Sequence, residues 1–240
     1  MNSVKNNLFI GTTGKKRFRT PLKDRILPNY TKTEEVLNSV SHMIGAALGI
    51  AALVLCVVFA AIKGNAWGVV SGAIYGASLV MLYSMSALYH GLKPSFAKKV
   101  FQVIDHCTIY FLIAGSYTPI ALCAIRPVNP VTGWVLFGCV WGLAVLAATL
   151  TAIDLKKYSA FSMICYVGMG WSIVFAAKTV LNAIAPTGLW YLLAGGILYT
   201  VGAILYGIGK KHKYVHSVFH AFVVAGSVLQ FICIFFYVII

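Results

Sequence analysis

The chain has 240 residues, of which 60% are hydrophobic and only 10% charged, with a mean hydropathy of +0.86. That balance excludes an ordinary soluble domain. A formal charge of +14 suggests nucleic acid at first sight, but the basic residues mark one side of a membrane. They leave no folded basic domain or aromatic platform with which to read a nucleic acid.

Residues 1–33 are polar and basic, with no apolar stretch ending in a small-residue cleavage site. They read as a disordered cytoplasmic arm near anionic headgroups rather than a signal peptide. Beyond them, apolar runs cover 36–62, 66–92, 102–125, 131–153, 158–181, 187–209 and 214–238. Each is long enough to cross roughly 30 Å of hydrocarbon. The runs are continuous rather than alternating, which favours helices over a β-barrel. The expected architecture is all-α: a seven-transmembrane helix bundle forming one polytopic domain over 34–240. Sixteen of the 19 basic residues fall on one side of this arrangement, and only Lys63, Arg126 and Lys178 fall on the other. The positive-inside rule then places the N-terminus in the cytoplasm and the C-terminus outside.

Within the runs, Gly45 and Gly49, and Gly68, Gly72 and Gly76, form small-residue ridges suited to close helix packing. Pro119 removes a backbone donor and is expected to kink the third run. The six cysteines all lie in apolar runs without a C-x-x-C pair, so they read as packing residues rather than disulfides or zinc thiolates.

The ionisable residues of the runs are not scattered. Glu35, Asn38 and His42 share one face of the first helix, by their spacing of three and four. Ser86 and His90 end the second run, Asp105 and His106 open the third, and His216 and His220 open the seventh. With alternating spans, all lie within roughly 10–12 Å of the cytoplasmic boundary at 1.5 Å rise per residue. Each has an ordinary explanation by itself. Glu34, Glu35 and Asp105 suit helix N-termini, Ser86 can bond back to its own helix, and His212 suits a lysine-flanked loop. Independent caps, however, do not require three histidines at one depth, and ionisable groups in a bilayer usually serve a site. The pair His216/His220, one turn apart, can bind a single ion, and His90 completes a three-nitrogen set of the kind found in open zinc sites. Iron, cobalt and nickel are compatible with such ligands, and a proton relay through the same histidines is the competing reading. In a zinc site Asp105 would orient a histidine or hold a water, and Ser86 would donate to a developing oxyanion.

Glu35-x2-Asn38-x3-His42, Ser86-x3-His90, Asp105 and His216-x3-His220, in this order over seven spans, resemble the hemolysin III and PAQR (progestin and adipoQ receptor) family. The resemblance covers about residues 30–240, and the short N-terminus is similar to the bacterial hemolysin III branch, which implies a bacterial plasma membrane protein. It implies a Zn²⁺ ion held by His90, His216 and His220 near the cytoplasmic face, with Asp105 at the zinc-bound water and Ser86 beside the metal. Glu34 fits a looser form of the first motif, but Glu35 lies closer to the face of His42. Glu35, Asn38 and His42 are expected to shape the site. Because the wider superfamily includes zinc-dependent alkaline ceramidases, the resemblance also implies action on, or sensing of, membrane lipids, with amide or ester hydrolysis as candidate chemistry. Two alternatives are a cytolytic pore, after the family's name, and a membrane receptor or transducer.

Overall fold

The computed structural model describes residues 19–209 and 212–240. Seven helices in it are long and apolar enough to cross a membrane: α1 (Lys32–Ile62), α2 (Ala66–Gly91), α3 (Phe96–Val128), α4 (Pro130–Ile153), α5 (Ser159–Ala183), α6 (Pro186–Gly209) and α7 (Val215–Ile239). No strand occurs among the described residues. With an odd number of spans, the ends of the bundle domain lie on opposite sides of the bilayer.

The polar residues at the junctions explain the boundaries. Thr31 caps α1 in a capping box, its hydroxyl accepting from the Glu34 N–H while the Glu34 carboxylate accepts from the Thr31 N–H at 2.8 Å. Asn65 caps α2 and Ser95 caps α3. Pro130 follows the Asn129 cap of α4 at a position where a missing N–H costs nothing. Gly64, at φ +66°, makes the left-handed turn between α1 and α2. Two starts precede the apolar runs: α1 begins at 32 rather than 36, and α3 at 96 rather than 102. In both, a capped polar first turn continues the helix beyond the hydrocarbon. The ends of α3 and Asp105 are thus separate matters, since Ser95 supplies the cap and Asp105 lies in the third turn.

α3 is the axis of the bundle: its apolar stretch is 72% buried, against 17% for α5 and α6. α1 packs along α2, α2 and α4 flank α3, and α6 pairs with α7. The glycine ridges carry the α1–α2 contact. A methyl group on Gly76 would run into the Cα of Leu53, and one on Gly45 into the ring of Tyr83. Pro119 is followed by a π-helical turn over Ile120–Ile125, the wider winding absorbing the missing donor.

α5 is discontinuous. It runs as α-helix over Ser159–Gly170, as 3₁₀-helix over Ser172–Ala176, and as α-helix again over Ala177–Ala183. Backbone groups freed in a bilayer must find partners inside the protein. One phenol supplies both: the Tyr117 hydroxyl donates to the Gly170 carbonyl at 2.7 Å and accepts from the Ile173 N–H at 2.9 Å. The six cysteines are all unbridged.

Residues 1–18 of the expected disordered arm lie outside the described residues. Residues 19–31 run as a strap across the basic end of the bundle. The Thr20 N–H donates to Asp154 Oδ2 at 2.7 Å, Arg25 Nη2 donates to the Ile153 carbonyl at 3.0 Å, and Lys99 Nζ donates to the Lys23 carbonyl at 2.6 Å. Composition alone gives no hint of these anchors, since each is a long-range contact to a helix end.

Candidate metal centre

Four helices bring the motif residues together. His90, His216 and His220 are all buried, and a ligating nitrogen from each lies within 4.8 Å of the other two. His216 Nε2 and His220 Nε2 are 3.1 Å apart. Two nitrogens bound 2.0–2.1 Å from a tetrahedral ion would be about 3.3 Å apart. His90 Nε2 is buried without a hydrogen-bond partner among the described residues, a costly state for an imidazole nitrogen that a cation would relieve. The residues therefore fit a metal ion.

The orientation of His90 is set from behind. Its Nδ1 donates to Glu35 Oε2 at 2.7 Å, which fixes the tautomer and turns Nε2 towards the other histidines. The other carboxylate oxygen, Oε1, takes Lys98 Nζ at 2.7 Å. Lys98 is only 2% exposed and spends its remaining donors on the carbonyls of Leu92 (2.9 Å) and His90 (3.4 Å). These carbonyls belong to the C-terminal end of α2, which has no helical partners for them. One ammonium group thus joins α1, α2 and α3 behind the histidine.

The other sequence-predicted residues have distinct positions. Asn38 is fully buried beside His90, and its Oδ1 accepts from Ser217 Oγ at 2.6 Å. The ring of His42 stacks on that of His220 with 3.8 Å between centroids, and both of its nitrogens are buried without partners among the described residues. Ser86 and Asp105 line the cavity into which His216 and His220 open, and Asp105 stands outside the cluster of mutually close ligand atoms. Glu34 belongs to the helix start and not to the histidines: its Oε1 accepts from the Tyr214 N–H at 2.7 Å, joining α1 to the beginning of α7. His106 is committed elsewhere, donating from Nδ1 to the Gln102 carbonyl (2.7 Å) and accepting at Nε2 from Tyr206 (3.0 Å).

Two contributors have no counterpart in the sequence reading. Lys98 counts there only as one of the charges that mark a side. Tyr30, the residue before the helix cap, stacks on His216 at 4.8 Å and 19° and closes the strap side of the site. Burial, together with nearby Tyr206 and Glu35, pushes its phenol well above the usual range, so the ring stays neutral.

The site opens into a cavity of about 1250 Å³ that extends from the strap, between α3, α5, α6 and α7, to Leu189 and Gln230. This exceeds the roughly 300–1,000 Å³ of small-molecule pockets, and its long wall is apolar, with Ile109, Leu112, Met163, Val167 and Leu192.

The sequence as a whole matches a known family. The family described as haemolysin-III related matches residues 30–231, which is most of the chain. The chain belongs to the haemolysin-III related family. It is 39% identical to Hemolysin-3 of Bacillus cereus over 206 residues, covering 86% of this chain and 92% of the relative. Against the Hemolysin-3 homolog of Bacillus subtilis (strain 168) it is again 39% identical, with 87% and 96% covered. A more distant likeness, 25% identity over 224 residues, reaches human Monocyte to macrophage differentiation factor, with 90% and 88% covered. As a haemolysin-III related chain with seven apolar helices, it is a multi-pass membrane protein.

Proposed function

We propose that the protein binds one zinc ion through His90, His216 and His220, at the cytoplasmic end of the bundle, and acts on membrane lipids at that site. The observation that carries this reading is a buried three-histidine cluster opening into an apolar cavity of lipid size. Zinc bound there would polarise a carbonyl and lower the pKa of water, the chemistry of amide or ester hydrolysis. The protein's own residues supply the rest. Glu35 and Lys98 hold His90 in its orientation, the Asp105 carboxylate accepts a proton, and the Ser86 hydroxyl donates to an oxygen that gains charge. His42, which lines the cavity, orients the polar part of the lipid.

The deciding experiment measures zinc in purified protein and lipid composition in cells carrying wild type or His220→Ala. Near-stoichiometric zinc in wild type, its loss in the variant and a shift in one lipid class are expected. Protein without zinc sinks the metal assignment; zinc lost with lipids unchanged sinks the lipid chemistry. The relatives' name, Hemolysin-3, favours a second reading, lysis of cells. It predicts that added protein lyses erythrocytes equally well after His90→Ala and His216→Ala.

A further inference from the structure

The cavity has a second polar feature, at the strap. Arg25 lines it, and among the described residues the guanidinium makes one hydrogen bond, from Nη2 to the Ile153 carbonyl. Its Nε and Nη1 are shut off from solvent and have no partner among the described residues. A guanidinium has five N–H donors and cannot discard its charge, so unpaired buried donors carry their full desolvation cost. Two nearby carboxylates are engaged with other groups, and Asp24 lines the same cavity. Asp154 feels the charge of Arg25, but its oxygens accept from the backbone N–H groups of Thr20, Lys156 and Lys157. Glu34 is taken by Thr31 and Tyr214. Lys156 and Lys213 line the same cavity, adding positive charge and no acceptor.

The location suggests the acceptor. Ile153 closes α4 and Asp154 follows it, so the guanidinium stands where the helices leave the apolar layer, at headgroup level. From there the apolar wall of the cavity leads inwards. We propose that Arg25 is the headgroup site for an anionic lipid: the guanidinium turns its unpaired donors to the cavity and binds phosphate or carboxylate oxygens while the acyl chain occupies the cavity. This rests on the reading that the cavity takes membrane lipids and narrows that reading to lipids with an anionic head. Guanidinium geometry suits oxyanions, and charge-assisted bonds are the strong ones. The strap is then part of the binding site, since Arg25 reaches the cavity only while residues 19–31 cross the bundle.

The test uses full-length protein in phosphatidylcholine nanodiscs, titrated separately with palmitoyl lysophosphatidate, palmitoyl lysophosphatidylcholine and inorganic phosphate, the bound probe being counted by native mass spectrometry. Wild type is expected to prefer lysophosphatidate. Arg25→Gln should weaken it about tenfold or more, as expected for a lost charge-assisted pair, and erase the preference between the two lysolipids. Arg25→Lys, which keeps the charge, should restore part of it. Zinc content and thermal midpoint, measured on the same samples, should stay constant, separating a binding effect from misfolding. Equal lysophosphatidate affinity in wild type and Arg25→Gln overturns the proposal. Inorganic phosphate binding as tightly as lysophosphatidate also overturns it, by making the site one for free oxyanions. If both lysolipids bind wild type equally, the Arg25 assignment falls and the lipid cavity stands; if neither binds, the lipid reading falls with it.

Discussion

At the level of single residues, the arrangement behind His90 makes a sharp prediction. Glu35→Gln keeps the shape of the side chain but removes the carboxylate that takes the Nδ1 proton. Loss of such a supporting group typically lowers metal affinity about 10–100-fold, so chelator titration should strip the variant at correspondingly lower chelator activity. Lys98→Met leaves Glu35 without its buried counter-ion and the end of α2 without its cap. Both metal retention and thermal stability should fall, the latter by about 3–5 kcal/mol if it behaves as a broken buried pair. The sequence makes the histidines legible because their i,i+4 spacing and matched depth survive without any structure. Lys98 is not legible in the same way. Among Lys93, Lys98 and Lys99 nothing in composition says which one turns inwards; that depends on α3 starting at Phe96, which brings position 98 under the end of α2.

At the level of helices, two contacts decide packing. Gly76→Ala would place a methyl against the Leu53 backbone and should destabilise by about 1–3 kcal/mol, as overpacking does. Gly138→Ala, which meets nothing, should stay within about 0.5 kcal/mol; thermal unfolding of both in one detergent checks the contrast. Tyr117→Phe strands the Gly170 carbonyl and the Ile173 N–H. About 1–3 kcal/mol is expected for each unsatisfied group, seen as a lower midpoint and faster amide exchange around Trp171. The glycine ridges and the disturbance at Pro119 are visible in sequence because small residues at helical spacing, and a proline in a helix, have direct geometric meaning. The break in α5 is hidden. Residues 158–181 read as one continuous apolar run, and no proline marks the change to 3₁₀ winding; it exists because a tyrosine 53 positions earlier satisfies it.

At the level of the whole molecule, the strap connects the amino-terminal segment to the cavity, and Asp154 is its latch. Burial of Asp154 works against its charge, but the N–H groups of Thr20 and Lys157 and the charge of Arg25 outweigh this and hold its carboxyl at about 2, below the usual 3.8. A depressed value means that the latch contributes fully above about pH 3.8, and that its contribution disappears as pH falls through about 2. Amide exchange over residues 19–31, corrected for intrinsic rates, should therefore be constant from neutral pH down to about 4.5. Asp154→Asn should speed it at neutral pH. Seven spans follow from hydropathy, whereas the strap, built from single long-range hydrogen bonds, leaves no such trace. The Tyr117 contact bears on how the molecule is made. A chain threaded into the bilayer from its amino end delivers α3 before α5, so the phenol is already in place when the interrupted helix arrives. A fragment beginning at α5 would have to insert with two naked peptide groups in oil, and co-expression with the α1–α4 fragment should be what rescues it.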